Sequence, residues 1–175
     1  MRTEFRIAGT GGMGVVLAGV ILGHAAVVHA DLESVQTQSY GSEARGTAAK
    51  SEVIISDEQI HYPKVREADY SILMSQKAFE MYLPGAKKGG VLLVDPNLVD
   101  SKTAENDFEI VRVPAMKTAD DMGLRLVSNM VMLGALVKKS GVFPMKALEN
   151  ALHDLVKSKA LKLDINAVRA GTDFV

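Results

Sequence analysis

The chain has 175 residues, 47% of them hydrophobic, with 20 Lys plus Arg against 21 Asp plus Glu and no Cys or Trp. A chain of this size buries roughly 70% of the surface that its unfolded form exposes, which suits one α/β domain over residues 1–175 without staples. Zero Cys excludes disulfide scaffolds, thiol catalysis and thiolate-held zinc or iron-sulfur centres. The scattered basic residues make no stripe for a phosphate backbone, so nucleic acid is not an expected partner.

Residues 7–30 contain no Asp, Glu, Lys or Arg. A signal peptide would use such a run, and Val28-His29-Ala30 resembles a small-residue cleavage site. Against that reading, five of the eight residues from Gly9 to Val16 are Gly or Thr. Beyond Gly14 only 16 residues remain before Asp31, short of the roughly 20 that a membrane span needs. A buried helix in a cytoplasmic chain, away from any membrane, is the expectation.

Phe5 to Ala8 reads as a strand, the glycine cluster as a turn, and the Ala-, Leu- and Val-rich run after Gly14 as a helix. Ser34 to Gln38 and Ser51 to Ser56 are short and β-branched, as strands are. Tyr70 to Met74, Gly90 to Val94 and Phe108 to Val113 are further strand candidates. A helix over 78–83 is ended by Pro84-Gly85. From Met122 the period changes to helical, with Leu126, Met130, Leu133 and Val137 on one stripe and Met145, Leu148, Leu152 and Leu155 on another. Asp120-Asp121 suit the positive start of the first of these helices, Pro144 the first turn of the second. Met122, Met130 and Met132 read as core filling. Ala160 to Ala170 adds a last helix with Gly171 as its left-handed cap. Continuous apolar strands alternating with helices predict a three-layer α/β fold, a mainly parallel Rossmann-like sheet with helices on both faces and a helical C-terminal third.

Gly9-Thr10-Gly11-Gly12-Met13-Gly14 matches G-x-G-x-x-G between a strand and a helix, where glycines permit a tight turn and free amides can meet an anion. Val15 replaces the Lys that a Walker A loop requires. A stand-alone NAD- or FAD-binding module would need Asp31 at the end of a second strand formed by Ala25 to Ala30, a segment richer in helix formers. Tight helix packing on the sheet explains the same glycines without a ligand. The stretch from Ser39 to Lys50 is long for a connection, and such loops are often functional; Glu43 and Arg45, flanked by Gly41 and Gly46, also read as a solvated surface pair. His24 and His29 are five apart and do not share a helical face, while His61 and His153 are isolated, so no metal site is expected. Asn129 reads as a buried amide or a partner contact. No hydrolase or metalloprotease pattern is present.

Taken together, Gly-Thr-Gly-Gly-Met-Gly-Val-Val at 9–16, Ile21-Leu22-Gly23, Gln36-Thr37-Gln38-Ser39-Tyr40-Gly41, Glu43-Ala44-Arg45-Gly46 and Ser51-Glu52-Val53-Ile54-Ile55-Ser56-Asp57 resemble the gamma subunit of 2-oxoacid:ferredoxin oxidoreductases. Ala68-Asp69, Gln76-Lys77-Ala78 and Asn129 to Leu136 extend the likeness over essentially the whole chain. Thr47, where the family often has glycine, and Ser42, where proline is common, depart from it.

The resemblance implies a complex that oxidatively decarboxylates a 2-oxoacid to acyl-CoA and CO2, with thiamine diphosphate, magnesium, iron-sulfur clusters and coenzyme A on or with alpha-, beta- and delta-type subunits, and ferredoxin as electron acceptor. This chain then supplies no catalytic residue and no firmly held cofactor. Its expected ligand-facing residues are Gly9, Thr10, Gly11, Gly12 and Gly14 in the turn, with Tyr40, Gly41, Glu43, Arg45 and Gly46 in the loop. The amides of Gly11, Gly12 and Gly14 would meet an anionic group, and Arg45, held by Glu43, would pair with phosphate or carboxylate. Isolated, the chain is expected to stand alone or as a homodimer.

Overall fold

Phe5 and Ile7 point to one side of the first strand and Arg6 and Ala8 to the other, and both sides are buried. A strand covered on two faces belongs in the middle of a sheet. The computed structural model describes residues 1–40 and 48–175. In chain order its elements are β1 (Arg2–Thr10), α1 (Val15–His29), β2 (Glu33–Ser39), β3 (Ala48–Ser56), β4 (Ala68–Leu73), α2 (Gln76–Tyr82), β5 (Ala86–Val94), β6 (Glu109–Arg112), α3 (Ala115–Asp121), α4 (Ser128–Ser140), α5 (Met145–Leu155) and α6 (Ser158–Gly171).

The sheet order is β2-β3-β1-β4-β5-β6. β1, β4, β5 and β6 are parallel neighbours, and β3 runs antiparallel to both β1 and β2. Only β3 therefore opposes the common direction. Phe5, Ile7, Val53, Ile55, Ile72 and Leu93 join α1, α3, α4, α5 and α6 in the larger core. Ala8, Leu73, Leu92 and Val94 face Ala78 and Phe79 of α2. The predicted three layers, mainly parallel sheet and helical C-terminal third are what the chain forms. No helix among the described residues is long and apolar enough to cross a membrane.

α1 continues through Ala25 to His29, as the helix formers there favour, so the second strand that a stand-alone dinucleotide module needs does not form. Several expectations are corrected. α1 is not buried all round: Leu17, Val20, Val27 and Val28 are exposed while Ile21, Leu22, Ala25 and Ala26 are sealed in the core. Residues 115–121 form a helix that the apolar spacing does not announce, and Asp120 and Asp121 end it rather than start α4. They pair with Arg125 and Lys117. Leu126 lies in the 3-10 turn before α4 and is 69% exposed, off the core stripe. Met130 and Met132 are fully buried, with Met122 packed at the core edge.

Gly171 does not cap α6 with a left-handed residue. It sits inside the helix at φ −58°, and the left-handed end belongs instead to Gly141 after α4, at φ 59°. Gly171 is small because α4 and α6 touch backbone to backbone: a Cβ there would lie 2.0 Å from Val131 O, and one at Gly134 would lie 1.9 Å from Val168 O. That crossing fixes α4, whose N-terminal end reaches the glycine turn.

Candidate functional site

The turn between β1 and α1 is built from glycines with separable reasons. Gly9, still in β1, is packed tightly: a Cβ would meet Met13 Sδ at 3.0 Å and Met74 Cβ at 3.3 Å. Gly12 and Gly14 have φ of 86° and 72°, a left-handed backbone that strains any L side chain. Gly11 has no positive φ, a Cβ on it would find no neighbour within 4 Å, and the residue is exposed. Among the described residues, nothing packs against Gly11 closely enough to demand glycine there. Thr10 closes β1, and its carbonyl accepts from Met13 N at 3.3 Å.

Gly14 is the N-cap of α1 with no side-chain acceptor, and the first turn holds no acidic residue. Among the described residues, no side chain compensates the first N–H groups and the positive helix end, a setting that favours an anion. Thr10, Gly11, Gly12, Gly14, Val15, Val16, Leu17, Tyr40 and Ala49 line one open cavity of about 340 Å³. Tyr40 is 62% exposed, and Gln38 Nε2 donates to its hydroxyl at 3.4 Å. Thr10, Gly11, Gly12, Gly14 and Tyr40 are accordingly neighbours, with Gly9 beneath them. Gly41, Glu43, Arg45 and Gly46 lie outside the described residues.

The dinucleotide alternative loses its geometry. Asp31, at φ 54°, precedes β2 rather than ending it, and β3 separates β2 from β1. An acidic residue cannot there hold a ribose whose phosphates sit on α1.

Two groupings escape a reading of the sequence. Arg6 and Glu52 face each other in the β1–β3 register, with Arg6 Nε 3.0 Å from Glu52 Oε1 and both side chains buried. Arg6 Nη1 donates to Gly85 O at 2.8 Å, and Lys50 Nζ adds a second cation to Glu52 at 2.7 Å. Tyr82 packs under both cations and donates to Ala48 O; burial raises its pKa above the ordinary phenol value. A charge at an inward position of an otherwise apolar strand, as in Phe5-Arg6-Ile7, is the available signal. Second, His24 and His29 both meet Asp154 of α5, with their rings 5.9 Å apart. Five residues turn about 140° beyond a full helical turn, but Asp154 stands between the two imidazoles and both reach it. A larger cleft, about 560 Å³, lies after β5 and includes Gln76, Asn97, Lys102 and Arg112; Arg112 is already paired with Glu105.

With this geometry in place, residues 4–174 match the family model described as Pyruvate ferredoxin/flavodoxin oxidoreductase. The chain belongs to the pyruvate ferredoxin/flavodoxin oxidoreductase family. It is 44% identical to 2-oxoglutarate synthase subunit KorC of Methanothermobacter marburgensis, over 100% of this chain and 97% of that protein. Its fold superposes on the gamma subunit of keto/oxoacid ferredoxin oxidoreductase from Geobacter sulfurreducens PCA with a TM-score of 0.89 and 37% identity, covering 99% and 95% of the two chains. A third likeness concerns the fold alone. The 2-oxoglutarate:ferredoxin oxidoreductase of Magnetococcus marinus matches with a TM-score of 0.88 at 24% identity, and covers 99% of this chain but 31% of its own. For this member of the pyruvate ferredoxin/flavodoxin oxidoreductase family, the donor chemistry decides one cofactor question directly: a chain with no Cys cannot hold a thiolate-ligated iron-sulfur cluster.

Proposed function

We propose that this chain is the gamma subunit of a 2-oxoglutarate:ferredoxin oxidoreductase, one α/β unit in a cytoplasmic complex with alpha-, beta- and delta-type subunits. Those companions carry thiamine diphosphate, magnesium and the clusters, decarboxylate the 2-oxoacid and pass electrons to ferredoxin. The relative's name, 2-oxoglutarate synthase, supports the substrate.

The observation that carries the reading is the bare apolar face of α1, where Leu17, Val20, Val27 and Val28 are 39–55% exposed. A helix apolar on every side calls for cover on every side. Leu17 also lines the glycine-turn cavity, so a subunit laid on this face would wall that cavity. In this reading the amides at Gly11, Gly12 and Gly14 receive a phosphate of coenzyme A, Tyr40 flanks it, and Arg45 supplies the counter-charge. The Magnetococcus enzyme, which shares this fold, has coenzyme A bound in its structure.

The test is co-expression with the companion subunits and assay of ferredoxin reduction over a panel of 2-oxoacids. Wild type is expected to co-purify and to prefer 2-oxoglutarate with coenzyme A. Leu17→Lys with Val27→Lys should abolish co-purification while leaving the isolated chain folded, and Arg45→Ala in the assembled complex should raise the KM for coenzyme A. Normal assembly by the double variant would overturn the docking role; an unchanged KM with Arg45→Ala would overturn the ligand role.

A further inference from the structure

His24, His29 and Asp154 lie away from the glycine turn, at the opposite end of α1. His29 is the last residue of α1, and Asp154 is in the last turn of α5. His24 Nε2 stands 2.9 Å and His29 Nε2 2.5 Å from the same oxygen, Asp154 Oδ2. Their donor atoms all fall within 4.8 Å of one another. The side chains are partly open to water, with Asp154 41% exposed and the imidazoles 27% and 20%.

Asp154 is poorly placed on its own. A carboxylate at the carboxyl end of a helix opposes the negative end of the dipole. Among the described residues no Lys or Arg forms an ion pair with it, and its side-chain partners there are the two imidazoles. One divalent cation would satisfy both imidazole nitrogens and the carboxylate oxygen at once. Two nitrogens, one carboxylate oxygen and an open side for water are the donor set of a tetrahedral zinc-type centre, with metal–ligand distances of about 2.0–2.2 Å. Seating the ion requires the two nitrogen–oxygen contacts, now 2.9 and 2.5 Å, to open by side-chain rotation to roughly 3.4 Å, the ligand separation at a tetrahedral ion with bonds of about 2.1 Å.

We propose that His24, His29 and Asp154 form a binding site for a divalent transition metal of the zinc class, clamping the end of α1 to α5. The site carries no redox or catalytic step. It fixes the helix whose other end presents the glycine turn.

The full chain, stripped with chelator and dialysed, is titrated with ZnCl2 by calorimetry, and with CoCl2 to follow the visible bands of low-symmetry Co2+. One ion per chain is expected, with a rise in Tm on adding zinc. His24→Ala, His29→Gln and Asp154→Asn should each weaken binding by at least about tenfold, as loss of a direct ligand exceeds the effect of losing an outer-sphere partner, and should abolish the zinc-dependent rise in Tm. His61→Ala should change neither. Circular dichroism confirms that each variant is folded. Absence of stoichiometric binding by wild type, or wild-type affinity in a folded His24→Ala or His29→Gln variant, would overturn the proposal.

Discussion

Asn129 Nδ2 donates to the carbonyl oxygen of Gly14 at 3.1 Å, while its own Oδ1 accepts from Met130 N at 2.9 Å. One buried amide thus ties the start of α4 to the hinge between β1 and α1, across 115 residues of sequence. Gly14 is hemmed in from the same direction, since a Cβ on it would lie 2.3 Å from Asn129 Nδ2. The candidate site is held from behind by the helical third of the chain.

Asn129→Ala is expected to cost about 1–2 kcal/mol, the range for losing a buried hydrogen bond whose acceptor keeps another donor, here Ala18 N. Gly14→Ala adds the strain of a left-handed φ, about 1–2 kcal/mol, together with the clash on Asn129. Combined, the two substitutions should cost less than their sum, because Asn129→Ala removes the atom that Gly14→Ala strikes. Denaturant unfolding of the four proteins measures the coupling, and strict additivity would show that the two residues do not act through each other.

Much of this architecture is legible in the residues themselves. Short apolar runs such as Tyr70 to Met74 and Gly90 to Val94 read as strands because residues buried on two faces need no polar alternation, and they form β4 and β5. The glycine turn is legible because strand, glycines and helix adjoin in sequence. What escapes depends on distance. Asp154 meets His24 and His29 only through the packing of α5 on α1, and Arg6 finds Glu52 only through a β1–β3 pairing that no local pattern specifies. Gly134 and Gly171 look like a helix interior and a cap, yet both are contact points between helices.

The Arg6–Glu52 pair predicts an asymmetry. Glu52→Ala leaves the buried Arg6 guanidinium with Gly85 O as its remaining hydrogen-bond acceptor among the described residues, above the Tyr82 ring, and should cost about 3–5 kcal/mol, the usual penalty for orphaning a buried charge. Arg6→Met should cost less, because Lys50 remains 2.7 Å from Glu52. Arg6→Met with Glu52→Leu should recover a large part of the Glu52→Ala loss, since apolar side chains of similar volume replace a buried pair with little penalty. Urea midpoints of the three variants decide it. A Glu52→Ala loss no larger than that of Arg6→Met would mean that water reaches the pair.

Asp164 gives a pH signature. It lies in α6, buried, without a hydrogen bond or ion pair among the described residues, and burial raises its pKa above 3.8. The folded chain therefore holds this proton to higher pH than the unfolded chain does. The resulting stabilisation is complete below the unfolded value and is lost as pH rises through the raised native value. At neutral pH the ionised carboxylate works against folding, and Asp164→Asn removes that opposition. The variant should be more stable than wild type at neutral pH, and its advantage should shrink as pH falls toward the ordinary carboxylate range, about pH 4. Other carboxylates titrate in the same window in both proteins, so the quantity to follow is the difference between the two unfolding free energies at each pH. A difference that does not change with pH would mean that Asp164 keeps an ordinary pKa in the native chain.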